Sequence, residues 1–293
     1  MSELLATPRG TMEVLNEFGI KAKKKYGQNF LINRNVVDQI VEAAEISKED
    51  CVLEIGPGIG TMTQLLSEAA GHVVAVEIDQ SLERVLSRTL EDRDNVTILF
   101  QDILKTDLAA ISSEYNQGRP LKCVANLPYY ITTPILLQLF QEAQNFESIT
   151  IMVQKEVADR ILATEEDKEY GALSLAVRYY SEPEKVCIVP PGCFIPKPGV
   201  DSAVLQLKVR REAPVEADEK FLFALIRASF NQRRKTLANA LSHGLQNGTY
   251  AMDREMVQKA LSEMGLSETI RGERLSLEQF AELARLLRNM LEF

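Results

Sequence analysis

The side chains of this chain that could do chemistry sit in short stretches where apolar runs break off. The run through Leu121, Cys123, Val124 and Ala125 stops at Asn126-Leu127-Pro128-Tyr129-Tyr130. Pro128 has no N–H to give to a ladder, so strand pairing should end there. In an open α/β sheet, the carboxyl end of a strand is where ligands bind. Asn126 can accept from an exocyclic amino group and Tyr129 offers a face for a planar ring, its hydroxyl having no part in the expected chemistry. Taken alone, the run also reads as an ordinary Asn-Leu-Pro turn beside a core tyrosine.

A second stretch, Glu54-Ile55-Gly56-Pro57-Gly58-Ile59-Gly60, joins an apolar strand to a helix. Its alternating glycines differ from the dinucleotide pattern, in which a later third glycine lets the helix N-terminus receive a pyrophosphate. The tighter spacing suits a nucleoside cofactor without phosphates, its amino-acid tail lying on bare backbone. Glu77 ends the next strand about twenty residues on, where an acid accepts both ribose hydroxyls. Asp102 ends the strand after that and can accept from an adenine amino group. The loop and two acids on successive strand ends point to S-adenosylmethionine, which places Asn126-Leu127-Pro128-Tyr129 opposite its methyl group. That run is similar to the Asn-Pro-Pro-Tyr-type signature of enzymes that methylate amino groups of nucleic-acid bases. An adenine N6 is a poor nucleophile because its lone pair is delocalised into the ring. Acceptors from Asn126 and a nearby backbone carbonyl would favour a pyramidal nitrogen, while Tyr129 holds the extruded base in line. No strong general base is needed, since the nitrogen turns acidic once methylated.

The elements that must position these residues follow from periodicity. Apolar strands at 51–55, 72–77, 96–100, 121–126 and 149–153 alternate with helical stretches, which predicts a parallel, doubly wound sheet. Two further strands, 185–189 and 202–209, are joined by a segment too short for a crossover helix and should be antiparallel. Beyond a linker the pattern is helical throughout, with Phe221, Leu222, Leu225, Ile226 and Phe230 on one face. The expected organisation is an N-terminal extension over 1–20 with no assigned role, a Rossmann-like α/β domain over 21–211, and a small all-α domain over 212–293.

A net charge of −9 argues against a chain that is basic all over, but nucleic-acid binding is decided by local patches. Lys23, Lys24, Lys25 and Arg34, interleaved with Tyr26 and Phe30, form one such stretch; Arg233, Arg234 and Lys235 form another. Both are expected to contact phosphates. The start has no charged and apolar signal pattern, and no apolar run is long enough to span a membrane. The four cysteines lack metal-ligand spacing and only His72 and His243 are present, so a histidine triad or zinc site is disfavoured. The expectation is a reduced, cytoplasmic chain holding no metal.

Taken together, the chain resembles ribosomal RNA adenine dimethyltransferases of the KsgA type. The stretches that carry the resemblance are Tyr26-Gly27-Gln28-Asn29-Phe30-Leu31, the Glu54–Gly60 loop, Val76-Glu77-Ile78-Asp79, Gln101-Asp102 and Asn126-Leu127-Pro128-Tyr129. Val153–Val157, Phe194–Ser202 and Phe230–Lys235 complete them. The resemblance implies dimethylation at N6 of two adjacent adenosines near the 3′ end of small-subunit ribosomal RNA, late in ribosome assembly, by a monomer acting on RNA or a pre-ribosomal particle. It further implies that Asn29 and Leu31 close over the cofactor and that Gly56 contacts its methionine part, Gly58 being a further cofactor-binding residue. Glu77 would hold the ribose, Asp102 the adenine, and Asn126 the junction of cofactor and target. Tyr130 departs from the family's frequent asparagine. Three alternatives stay open: a large-subunit methyltransferase of the macrolide-resistance type, a non-catalytic assembly or transcription factor on the same fold, and, disfavoured by the glycine spacing, an NAD oxidoreductase. The long helical region and Leu127 in place of isoleucine favour the first reading over the macrolide type.

Overall fold

Strands and helices fall close to where the periodicity puts them. The computed structural model describes residues 5–23 and 26–291, so Lys24 and Lys25 lie outside the described residues. The chain divides into two units, Met1–Ala158 with Glu182–Val209, and Asp159–Ser181 with Arg210–Phe293.

The first unit is built on a seven-stranded sheet. Its strands are β2 (Cys51–Ile55), β3 (His72–Glu77), β4 (Val96–Phe100), β5 (Leu121–Asn126), β6 (Phe146–Gln154), β7 (Ser181–Val189) and β9 (Ser202–Val209). A separate two-stranded ribbon pairs β1 (Phe30–Leu31) with β8 (Phe194–Ile195). The sheet order is β4-β3-β2-β5-β6-β9-β7, parallel from β4 through β6. The chain therefore builds outward from β2 to β4, then returns to build β5 and β6 on the other side. Between β2 and β5 the crossovers diverge, which opens a crevice at their carboxyl ends. Both strands are buried almost throughout, as an apolar run covered on two faces requires. Glu54 in β2 and Lys122 in β5 are polar exceptions; the Lys122 ammonium leaves the core to donate to the Glu45 carbonyl and to pair with Asp50 at 3.1 Å.

β9 runs antiparallel to β6, Ser202 facing Gln154. Reversal has a consequence for the crevice: it brings the start of β9, and the segment before it, to the edge where β5 and β6 end. There β8 pairs antiparallel with β1, Leu31 opposite Phe194, a ribbon that periodicity cannot reveal because it is only two residues long.

Helices α1 (Pro8–Glu17), α2 (Arg34–Ala43), α3 (Thr61–Ala69), α4 (Glu83–Thr89), α5 (Leu108–Asn116), α6 (Thr132–Gln141) and α7 (Lys155–Leu162) follow in chain order. The N-terminal extension, given no role from sequence, is packed: Leu5, Val14 and Leu15 form a cluster with Phe30, Ile59 and Val85.

In the second unit α8 (Ala172–Tyr180) joins α9 (Glu219–Asn231), α10 (Leu237–Leu245), α11 (Arg254–Glu263) and α12 (Leu277–Met290). Their shared core includes Phe221, Leu225, Leu241, Leu261, Phe280 and Leu287. The expected boundary at 211 and 212 differs from this division, because Tyr170, Leu175 and Tyr179 are buried in the helical core. The Tyr170 hydroxyl donates to the Leu275 carbonyl at 2.9 Å. Among the described residues no helix is long and apolar enough to cross a membrane.

Candidate active site

The crevice between β2 and β5 is a cleft of about 1050 Å³, its open mouth included. Asn29, Leu31, Gly56, Gly58, Glu77, Asp102 and the whole Asn126–Tyr129 run line it, so the stretches read as one site are brought together.

The loop after β2 turns sharply because Gly56, Gly58 and Gly60 all take positive φ, at 71°, 61° and 92°. At Gly56 a Cβ would strain the backbone, yet it would meet nothing within 4 Å. The glycine thus leaves bare backbone facing open space, the cradle that an amino-acid tail needs. Glu77 is buried at the end of β3. One of its oxygens accepts from the Gly58 N–H at 3.1 Å and the other from the Asp79 N–H at 2.8 Å. Burial raises its pKa, and those N–H groups work against the rise. Each oxygen keeps a lone pair for a hydroxyl. Asp102 is half-buried, one oxygen accepting from the Leu104 N–H at 3.0 Å.

Glu54, in β2, is fully buried, and neither of its carboxylate oxygens finds a donor; the Thr61 and Thr63 hydroxyls beside the loop are also unpartnered. Burial pushes Glu54 up to about 8, the Thr63 hydroxyl beside it working against the rise and the charge of Glu77 adding to it. An unpartnered buried acid is costly, and here it lines the same cleft as Glu77 and Asp102. With Glu77 and Asp102 at its strand ends, the cleft suits a nucleoside without phosphates and opposes a pyrophosphate.

On the opposite wall, the Asn126 amide nitrogen donates to the Asn29 carbonyl at 3.3 Å. A backbone carbonyl can only accept, so this contact fixes which end of the amide is nitrogen and leaves Oδ1 as a free acceptor. Leu127 is buried, its N–H bonded to the Met152 carbonyl at 3.1 Å. The Pro128 carbonyl accepts from Ile131 and Thr132 and so starts α6. The Tyr129 hydroxyl lies 2.9 Å from the Ser202 hydroxyl, and burial raises its pKa. It is engaged, contrary to the expectation of a ring acting alone. Tyr130 is 57% exposed at the cleft mouth.

A profile of the family described as ribosomal RNA adenine dimethylase matches residues 19–287. The chain belongs to this family. It is 54% identical over 285 residues to the ribosomal RNA small subunit methyltransferase A of Lachnoclostridium phytofermentans, covering 97% of both chains. To the protein of the same name from Bacillus pumilus it is 46% identical, over 99% of this chain and all of that one. Among solved structures it is similar to a dimethyladenosine transferase from Plasmodium falciparum, with a TM-score of 0.75, 27% identity, and coverage of 90% of this chain and 98% of that one. It is also similar to the 23S rRNA methyltransferase ErmE, at a TM-score of 0.67 and 27% identity, covering 88% and 99%.

In this adenine dimethylase the N-terminal basic stretch is tied down by a residue given no role from sequence. Asp79, 3% exposed, accepts from Lys23 Nζ at 2.8 Å, from Gln28 at 3.0 Å and from Ser81. Burial works to raise Asp79, but these donors together take it below the ordinary carboxylate value. Lys23 is thereby committed to a carboxylate, which weakens its expected part in phosphate binding. Gly27 sits where a Cβ would come within 3.5 Å of Tyr130, so this stretch lies close over the Pro128–Tyr130 turn. Arg34 is half-buried, paired with Asp38 at 2.8 Å. In the second unit Arg233 pairs with Glu273 at 2.6 Å, while Arg234 and Lys235 are exposed. The signal for Asp79 and Ser202 was present in the matched stretches Val76–Asp79 and Phe194–Ser202. Neither could be given a partner before the fold was known.

Proposed function

We propose that this chain transfers methyl groups from S-adenosylmethionine to N6 of two adjacent adenosines near the 3′ end of small-subunit ribosomal RNA. The observation that carries the reading is the free Oδ1 of Asn126 in the same cleft as Glu77 and Asp102. The cofactor fits the residues present: Gly56 supplies the cradle, and Glu54 is a buried acid lacking a donor. When bound, S-adenosylmethionine supplies an electrophilic methyl group on a sulfonium.

Glu77 would hold the ribose hydroxyls and Asp102 the cofactor's adenine amino group, while Asn29 and Leu31 would cover it and Gly58 would contribute to its binding. Asn126 Oδ1 accepts one hydrogen of the target amino group; a backbone carbonyl of the same turn accepts the other. This draws the nitrogen toward a pyramidal, nucleophilic geometry. Tyr129 stacks on the extruded adenine. Leu127 and Pro128 set the distance between the acceptor and the ring. Once the nitrogen carries the methyl group it is acidic, and its proton passes to water. Arg34, Arg233, Arg234 and Lys235 supply phosphate contacts that position the RNA without reading its sequence. The substrate is a pre-ribosomal small subunit, met by a monomer in the cytoplasm.

The small-subunit reading is favoured over the macrolide-resistance type by identities of 46–54% to small-subunit enzymes, against 27% to the 23S enzyme. The test is mass-spectrometric mapping of adenosines in ribosomal RNA from cells with and without this chain. Loss of a dimethylated pair near the small-subunit 3′ end on deletion is the expected result; loss in large-subunit RNA instead would refute the reading.

A further inference from the structure

Tyr129 and Ser202 are 73 positions apart in the chain, yet their hydroxyls meet at 2.9 Å. Ser202 is wholly buried and is the first residue of β9, held opposite Gln154 of β6. The residue before it accepts the Lys155 N–H through its carbonyl at 2.9 Å. Ser202 is thus among the more rigidly placed side chains at the carboxyl edge. Tyr129 is only half-buried and follows a proline in a turn. Two rotatable bonds separate its ring from that turn, and a hydroxyl anchor at the far end of the ring fixes both.

We propose that Ser202 is a positioning residue: it holds the Tyr129 ring in the plane on which the extruded adenine stacks, and it matters most for the second methyl transfer. The proposal rests on the base-methylating reading of this cleft. In the first transfer the target amino group has two hydrogens, one for Asn126 Oδ1 and one for a backbone carbonyl. After it only one hydrogen remains, so half of the hydrogen-bond alignment is gone. The ring face then carries more of the task of keeping the nitrogen in line. A ring free to tilt slows the second transfer more than the first, and monomethyladenosine accumulates.

The experiment is single-turnover methylation of small ribosomal subunits that lack the modification, using the full chain and scoring mono- and dimethyladenosine separately. Ser202→Ala and Tyr129→Phe each remove the same bond. Each is expected to slow the second transfer about three- to tenfold, as loss of one hydrogen bond implies, and the first transfer less. The double variant should be no worse than either single, because both act on one interaction. Ser202→Thr keeps the hydroxyl and should restore the wild-type product ratio. Calorimetric affinity for S-adenosylmethionine should not change in any of them. A wild-type mono-to-di ratio in Ser202→Ala or Tyr129→Phe overturns the proposal, as does a double variant showing the product of two independent losses. A loss in Ser202→Thr as deep as in Ser202→Ala overturns it too, since burial rather than the hydroxyl would then matter. If Ser202→Ala does not fold, Tyr129→Phe reads the same bond from the other side. Should the wild type bind the cofactor but leave adenosine unmethylated, the functional reading falls and the proposal with it; active wild type with indifferent variants sinks only the role of Ser202.

Discussion

On the side of the cleft formed by β2, β3 and β4, the acids proposed to face a nucleoside are fixed by backbone N–H groups of neighbouring loops. Glu77 is held by Gly58 and Asp79, and Asp102 by Leu104 two residues on. On the side formed by β5, β6 and β9, the groups proposed to face a base are fixed by distant partners. Asn126 is set by Asn29, 97 positions away, and Tyr129 by Ser202, 73 away. The first half is assembled by strand ends and the loops that follow them, Gly58 and Glu77 being 19 positions apart; the second exists only once β1, β8 and β9 have closed over it. On the proposed reading, cofactor recognition is the more local and target recognition is a product of the tertiary fold.

That contrast predicts separable losses. Asn126→Ala removes an acceptor needed most in the transition state, so kcat should fall about 100-fold or more. RNA affinity, dominated by phosphates, should hardly move. Rapid-quench kinetics with a parallel filter-binding titration checks both; near-normal dimethylation would break the assignment of the target side.

Glu77→Ala acts on the other side alone. Losing acceptors for the ribose hydroxyls at roughly 1.5–3 kcal/mol should weaken S-adenosylmethionine at least tenfold in calorimetry, with the RNA affinity unchanged. Were Glu77→Ala to weaken RNA as much as cofactor, the two halves could not be treated as separate.

Glu54, buried under the glycine loop, gives a pH signature. Its folded pKa is raised to about 8 from an ordinary 4.5. Between those values the unfolded chain has lost the proton that the folded chain keeps, so the Glu54 contribution to stability falls as pH rises through the window. The steepest slope for one such group is about 1.4 kcal/mol per pH unit. Glu54→Gln should remove this slope, leaving a variant more stable than wild type near neutrality when no ligand is present. Urea melts at a series of pH values decide it, and parallel curves for the two proteins would mean that Glu54 is not held protonated.

The smallest effect expected is in the basic residues. Neutralising Arg34, Arg234 and Lys235 should lower the log–log salt slope of RNA binding by roughly 0.7 to 0.9 for each phosphate no longer neutralised. Lys23→Gln should leave that slope unchanged, because Asp79 already holds the ammonium. A slope that responds to Lys23 would return it to the phosphate-binding set.

Local pattern made much of the molecule legible. An apolar run covered on both faces is a central parallel strand whatever surrounds it, so β2 to β6 and their order of succession could be read directly. Strand ends are likewise where polar residues must appear, which is why Gly56, Glu77, Asp102 and Asn126 stood out and share one cleft. Partners far apart in sequence were not legible. Lys23 carries the same charge whether it faces phosphate or Asp79, and Tyr129 has the same hydroxyl whether it is idle or bound to Ser202. The division of the chain was hidden in the same way: Tyr170 and Tyr179 fall within the span expected for the α/β domain, but the core that buries them is built largely from α9 to α12, far along the chain. Period and composition are set by each segment's own need to bury one face. Which hydroxyl meets which, and which charge is spent on a neighbour, depends on the register of β9 against β6 and of β8 against β1, and that register exists only in the folded chain.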